Sequence, residues 1–362
     1  MIIFQLIQKS QLRGAEIFAA QLSQHLEAAG HEVFLISVFP GNDVLPFDGK
    51  KIQLNRPLSK RWFDIKGWKA LNSLIKQHQP DIIQCNAGDT LKFTVCSKLL
   101  YNWRVPIVAR NASMVSQYIK NPLIKTINRW LYKKVDAIIS VSKHSKDDIN
   151  ELFPETKKKT SVIPIGIELK NIENVNWLGN NNSSLNIIHV GGFTFEKNHE
   201  GLLRIFKLFL ERQSDAHLHL LGEGSKRKEI EENSKQIGLQ DNITFYGWRT
   251  NPMDYIGKAD MLLLPSIIEG LPGVILEAMV CKTPVIAYNV GGISEIVQQN
   301  ETGFLINRGD EKSFALLMEQ ALLPSVKQIT QNAYDKVIQD YNNQSIAQQF
   351  ESTYIKMIHG EN

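Results

Sequence analysis

The chain has 362 residues, 43% of them hydrophobic and 22% charged, with a formal net charge of +4. That length exceeds one ordinary hydrophobic core and suits two α/β domains of a soluble protein. No apolar run approaches the ~18 residues of a membrane span, and three scattered cysteines, Cys85, Cys96 and Cys281, exclude a disulfide framework and fit a reducing compartment.

The first residues, Ile2–Ile7, read as a buried strand. They are too short for a signal-peptide core, and Lys9 and Arg13 follow rather than precede them. A helix is expected from about Ala15 to Ala29, closed by Gly30. Strands are then expected at Val33–Val38, Asp81–Cys85, Pro106–Ala109, Ala137–Val141 and Ser161–Pro164, mostly separated by helices. This is the rhythm of a parallel, doubly wound sheet. The Asn- and Ser-rich segment 171–186 reads as a linker. A second series follows, with strands at Asn186–Val190, Ala216–Leu221, Ile243–Tyr246, Met261–Leu264, Val285–Tyr288 and Phe304–Ile306. The expected division is 1–168 for a first Rossmann-like domain and 169–344 for a second, with 345–362 a terminal helix that packs back on the first.

The charge is asymmetric. Residues 1–168 hold 24 Lys+Arg against 14 Asp+Glu, and the remainder holds 17 against 23. Different partners for the two halves are implied. No Asp-x-Asp triplet occurs, so a phosphate-bearing ligand is expected to meet amides and cations rather than a metal.

Ligands of open α/β sheets bind outside the carboxyl ends of the strands. The loop after Met261–Leu264 is therefore the first place to look. It runs Ser266-Ile-Ile-Glu269-Gly270-Leu271-Pro272-Gly273-Val-Ile-Leu-Glu277. A helix starting near Gly273 offers free amides and its dipole to a diphosphate. Glu269 in the loop suits sugar hydroxyls, and Glu277 one turn into the helix suits both hydroxyls of a ribose.

This E-x7-E pattern resembles that of glycosyltransferase family 4 enzymes, which have the GT-B fold: two Rossmann-like domains with parallel sheets facing across a cleft. Several other segments resemble the family in its order along the chain: Gly14-Ala15-Glu16, Ser140-Val141-Ser142, Val162–Ile167, Val190-Gly191-Gly192 through Lys197-Asn198-His199, Lys282–Ala287, Gly291-Gly292 and Thr302–Leu305. The resemblance implies a retaining transferase that moves a sugar from a nucleoside diphosphate donor, UDP- or GDP-linked, with no further cofactor and no metal. The acceptor it implies is a glycan or lipid-linked glycan of cell-envelope, capsule or exopolysaccharide assembly. By the same resemblance Glu277 binds ribose, Glu269 touches the donor sugar and Lys197 neutralises the diphosphate. Gly14 lets backbone approach it closely, Gly192 belongs to the loop that meets it, and the amides of Gly270, Leu271 and Gly273 add donors. The loops Gly222–Gly224 and Gly247–Arg249 flank the base.

Four departures from the family pattern stand out. Arg13 precedes Gly14 where the family often has a second glycine, and becomes a phosphate or acceptor contact. Gly192 stands where an arginine is usual. Arg110-Asn111 and Asn86 stand where histidines are usual. Asn111 is taken as an acceptor-orienting residue, since an amide cannot act as a base.

Basic residues mix with aromatics in two places: Arg56 to Lys69, with Trp62, Phe63 and Trp68, and a helix from Pro122. There Lys125, Arg129 and Lys133 form a stripe opposite a core-facing Leu123, Ile127 and Leu131. Such surfaces suit an anionic bilayer, so the expected location is cytoplasmic, peripheral at the inner face of the cytoplasmic membrane. No nucleic-acid-reading module is present. Two other readings share the architecture: a nucleotide-sugar epimerase, and a non-catalytic nucleotide-sugar-binding protein. A dehydrogenase is disfavoured because G-x-G-x-x-G does not follow the first strand.

Overall fold

A computed structural model describes residues 1–169 and 185–360. It divides into two compact units, Met1–Gly166 with Asn343–Asn362, and Ile167–Asn342. The linker expected over 171–186 lies outside the described residues except at its end, where Leu185 and Asn186 open a strand.

The first unit begins with β1 (Ile2–Lys9), α1 (Gly14–Ala28), β2 (Glu32–Phe39) and β3 (Lys50–Gln53). There follow α2 (Ile65–His78), β4 (Ile82–Cys85), α3 (Gly88–Tyr101) and β5 (Ile107–Asn111). It continues through α4 (Pro122–Lys133), β6 (Ala137–Ser140), α5 (Lys143–Leu152) and β7 (Thr160–Val162). All seven strands are parallel, in the order β3-β2-β1-β4-β5-β6-β7.

The central strands are largely apolar because both faces of a parallel sheet are covered, and the polar residues they do bury, Gln5 on β1 and Gln84 on β4, are hydrogen-bonded. In β1 the side chains alternate. Ile3 and Ile7 face α1, where they pack with Phe18 and Leu22, while Phe4 and Leu6 join Trp68, Leu71 and Phe93 on the opposite face. Helix starts are fixed by capping: the Asp64 carboxylate accepts from the Gly67 amide at the start of α2, and Asn121 caps α4 just before Pro122.

The second unit contains β8 (Leu185–Val190), α6 (His199–Leu210), β9 (Ala216–Leu221), α7 (Arg227–Gln236), β10 (Ile243–Gly247) and α8 (Pro252–Ile256). Next come β11 (Met261–Leu264), α9 (Gly273–Val280), β12 (Val285–Tyr288), α10 (Ile293–Ile296), β13 (Phe304–Ile306), α11 (Glu311–Gln320) and α12 (Val326–Asp340). Its six strands are again all parallel, ordered β10-β9-β8-β11-β12-β13. The final helix, α13 (Asn343–His359), belongs to the first unit, where Phe350 and Tyr354 are fully buried beside α1.

Each sheet reverses its winding once, between β1 and β4 in the first and between β8 and β11 in the second. At such a switch point the loops from neighbouring strand ends diverge and leave a crevice for a ligand.

Two expectations are corrected. The strand β3 was not anticipated, because Lys-Lys-Ile-Gln at a sheet edge lacks an apolar run. Leu123 is not core-facing: Leu131 is buried and Ile127 packs against the core, but Leu123 at the open end of α4 is 67% exposed.

Candidate active site

The switch point of the second sheet is built from the loops after β8 and β11. The first carries Gly191, Gly192 and Lys197, and the second carries Ser266 to Pro272 and leads into α9 at Gly273. Lys197 Nζ donates to Glu269 Oε1 at 2.6 Å, across 72 residues of sequence. Glu269 is 8% exposed, so the ion pair is held at low dielectric and the carboxylate depends on its cation.

Several bonds fix this pair. The Ile267 amide donates to the Glu196 carbonyl at 2.7 Å, and Asn198 Nδ2 donates to the Pro265 carbonyl at 3.0 Å. Asn198 itself sits in the left-handed region at φ 53° and accepts from the Gly201 amide at the start of α6. The two loops are thereby stapled on both sides of Lys197. Glu277 lies at the fifth position of α9, half-buried, one turn from the amides of the helix start.

The flanking glycines explain how the loops fit together. A Cβ on Gly222 would lie 2.1 Å from the Gly191 carbonyl oxygen, and one on Gly224 would lie 2.5 Å from that of Phe193. These two positions are glycine because the loops after β8 and β9 press backbone to backbone. The loop after β10 joins them through the Gly222 amide, which donates to the Gly247 carbonyl at 2.9 Å. Gly192 is different. A Cβ there would meet nothing closer than 3.5 Å, at the Glu223 carbonyl, so a side chain has room at that position.

Beneath the pair lies a set of buried histidines that sequence reasoning did not find. His189, on β8, bonds through Nδ1 to the Leu263 carbonyl at 2.8 Å. His199, the first residue of α6, stacks on Phe193 at 4.1 Å and meets His189 edge-on at 4.8 Å. Burial pushes the His189 pKa down to about 4 and that of His199 down to about 2. Both imidazoles are therefore neutral at physiological pH. Nε2 of His189, both ring nitrogens of His199 and the Ser266 hydroxyl are buried with no hydrogen-bond partner among the described residues. Unsatisfied buried polar atoms are uncommon, and they gather here at the strand ends.

In the first unit, Arg13 and Gly14 lie exposed at the start of α1, after β1. Asn111, at the end of β5, is buried. Its Nδ2 donates to Ser140 Oγ at 3.2 Å and to the Ser145 carbonyl at 3.0 Å, so both amide protons are spent inside the unit. Asn86 is likewise occupied. A closed ring of hydrogen bonds runs from Gln84 Nε2 to Asn86 Oδ1, from Asn86 Nδ2 to Gln5 Oε1, from Gln5 Nε2 to Tyr354 Oη, and from Tyr354 Oη to Gln84 Oε1. Arg110 is 6% exposed, its guanidinium 4.2 Å from the Phe18 ring centre, and burial draws its pKa down to about 10.

A Lys–Glu pair at a switch point, beside the amino end of a helix, is suited to a phosphate-linked sugar. Comparison with known proteins identifies the class. Residues 12–171 match the family model Glycosyltransferase Family 4, and residues 171–336 match Glycosyl transferases group 1. The chain belongs to glycosyltransferase family 4. It is an enzyme, a glycosyltransferase.

One relative of this glycosyltransferase is the N-acetyl-alpha-D-glucosaminyl L-malate synthase of Bacillus anthracis, 23% identical, with 95% of this chain and 94% of that one covered. Another is the UDP-Gal:alpha-D-GlcNAc-diphosphoundecaprenol alpha-1,3-galactosyltransferase of Escherichia coli, 24% identical, covering 82% and 80%. Among solved structures, sucrose-phosphate synthase from Thermosynechococcus elongatus superposes with a TM-score of 0.84 at 21% identity, over 99% of this chain and 100% of that one. Anabaena HepE in complex with UDP-glucose gives 0.83 at 19%, over 98% and 100%. These likenesses show the GT-B fold.

Proposed function

We propose that this glycosyltransferase takes its sugar from a UDP- or GDP-linked donor and passes it, with retention of configuration, to a glycan or lipid-linked glycan. Cell-envelope, capsule or exopolysaccharide assembly is the setting. The observation that carries the reading is the 2.6 Å Lys197–Glu269 pair at the switch point of the second sheet. The bond from the anomeric carbon to the β-phosphate oxygen breaks and one to an acceptor oxygen forms, and the proton of the acceptor hydroxyl passes to the departing phosphate oxygen. Lys197 and the amides of Gly270, Leu271 and Gly273 stabilise the charge that grows on the departing diphosphate. Glu269 takes hydroxyls of the sugar, and Glu277 takes both hydroxyls of the ribose. Gly192 leaves room beside the phosphates. In the first unit, Arg13 and Gly14 form the phosphate- or acceptor-facing end of α1, and Asn111 acts by holding the loop after β5 rather than by touching substrate.

The UDP-glucose complex of Anabaena HepE and the diphosphoundecaprenol acceptor named for the Escherichia coli relative support this choice of partners. A cytoplasmic, peripheral location suits the exposed basic and aromatic residues of the first unit, and no described helix is long and apolar enough to cross a membrane.

The test is thermal unfolding with UDP, GDP, ADP, CMP and NAD, on the parent protein and on Glu277→Ala. A ligand specific to the folded state raises the melting temperature by mass action. A shift with one nucleoside diphosphate, lost in the variant, supports the donor site. A shift with NAD alone, or with no diphosphate, overturns it. Conversion of the donor sugar with no acceptor present would make the protein an epimerase instead.

A further inference from the structure

The first unit has a groove of its own, of about 420 Å³, at the carboxyl ends of β1 and β4. Its two ends differ. At the inner end a clasp is centred on Asp89, in the first turn of α3. Asp89 Oδ2 accepts from Gln8 Nε2 at 2.7 Å and from Arg61 Nη2 at 2.9 Å, and Oδ1 accepts from Lys92 Nζ at 3.2 Å. Lys92 Nζ also sits 3.9 Å from the centre of the Trp62 ring. Two cations on one carboxylate leave this end positively charged, and the clasp holds Trp62, 59% exposed, as one wall.

The outer wall is α4. Leu131 is buried at its inner end, Ile127 lines the groove, and Leu123 and Ile124 continue the same helical face outward into solvent. Trp62 and Phe63 on the facing segment are also exposed, and Lys120 and Lys125 stand near the start of α4. A groove that runs from a net cationic end to an open apolar end is complementary to a molecule with an anionic head and a hydrocarbon chain. A free sugar leaves the α4 face uncovered, and a plain hydrocarbon leaves the clasp unanswered.

We propose that this groove binds an amphiphilic anion, a lipid-borne phosphate, with the phosphate at Arg61 and Lys92 and the chain along Ile127, Ile124 and Leu123. That this ligand carries the acceptor sugar rests on the function proposed above. The groove itself does not.

The full-length protein is titrated, by tryptophan fluorescence, with farnesyl phosphate below its aggregation concentration, with farnesol and with glucose 1-phosphate. Farnesyl phosphate is expected to bind about tenfold or more tighter than either part, which is ~1.4 kcal/mol. Lys92→Ala is expected to bring it to the level of farnesol. The double variant Leu123→Asp, Ile124→Asp changes only exposed positions, so its melting temperature stays that of the parent while farnesyl phosphate affinity falls about tenfold. Equal binding of all three compounds, or parental affinity in the double variant, overturns the proposal. Sedimentation with phosphatidylglycerol vesicles but no saturable binding of monomeric farnesyl phosphate overturns it in favour of a bilayer surface. The UDP and GDP melting shifts are read on the same samples. Farnesyl phosphate binding without any nucleotide shift sinks the donor reading and leaves the groove, and the reverse sinks the groove alone.

Discussion

Gly291 passes so close to Glu269 that a Cβ on it would lie 1.8 Å from the Glu269 carbonyl oxygen. Its φ of +54° is already in the region that favours glycine. The neighbouring Gly292 amide donates to the Gly270 carbonyl at 3.0 Å, so the loop after β12 is the floor on which the Glu269 loop rests. Gly291→Ala must therefore displace Glu269 from Lys197. We expect a loss of about 1–3 kcal/mol in stability and a fall in kcat/KM of about a hundredfold, since a displacement of roughly 1 Å in a catalytic group costs that much. Unfolding curves and steady-state kinetics on one preparation check both. Unaltered kinetics with reduced stability would detach Gly291 from the site.

Lys197 and Glu269 should fail differently. Lys197→Ala removes the cation from a buried carboxylate and from the proposed diphosphate position, so nucleoside diphosphate affinity falls about ten- to a hundredfold. Glu269→Gln keeps a hydrogen-bond acceptor and the volume. It is expected to leave nucleoside diphosphate binding within about twofold of the parent while kcat falls at least tenfold. Calorimetric titration with the nucleotide and turnover with the nucleotide-sugar separate the two effects. Equal loss of nucleotide affinity in both variants would place Glu269 on the nucleotide rather than on the sugar.

Much of this site is written locally. The break at Gly270-Leu-Pro-Gly273 announces a loop and a helix start, and α9 does begin at Gly273. The βα alternation likewise follows from local periodicity, because buried parallel strands such as Met261–Leu264 are apolar without interruption. What the residues of one segment do not carry is their partner in another. Nothing near Asp89 announces that Gln8, Arg61 and Lys92 converge on it. Nothing near Asn111 announces that Ser140 and Ser145 will use both of its amide protons. Nothing near His189 or His199 announces that both rings are buried. They are buried because a parallel sheet places strand ends under the following helix.

Those histidines make the second unit sensitive to acid. His189, His199 and His219 are all drawn below the usual 6.5 by burial, to about 4, about 2 and about 3. The unfolded chain binds protons at these groups first. Their stabilising contribution is therefore complete above about pH 6.5 and is lost progressively as pH falls from there, down to about 4 for His189, about 3 for His219 and about 2 for His199. Each imidazole contributes a slope of ~1.4 kcal/mol per pH unit within that window. Denaturant melts from pH 7.5 to 4.5 should show stability falling below about pH 6.5, and His199→Phe, which keeps an aromatic ring on Phe193, should flatten the fall. A slope unchanged in that variant would assign the acid sensitivity to other groups.

Tyr354 tests how α13 is held to the first unit. Its hydroxyl donates to Gln84 Oε1 at 2.6 Å and accepts from Gln5 Nε2 at 3.3 Å, and all three residues are fully buried. Tyr354→Phe removes one oxygen and opens the ring at two places, leaving Gln84 and Gln5 each short of a partner away from water. The expected cost is about 1–3 kcal/mol. Phe350→Ala one turn earlier removes a ring packed on Phe18 at 5.9 Å and should cost about 3–5 kcal/mol through the cavity it leaves. If α13 is integral to the unit, both variants lower the single melting transition of the first unit and leave nucleotide-induced stabilisation of the second intact. A Tyr354→Phe protein as stable as the parent would mean that the two glutamines re-pair with each other. In that case the ring of bonds contributes to the placement of α13 and not to its stability.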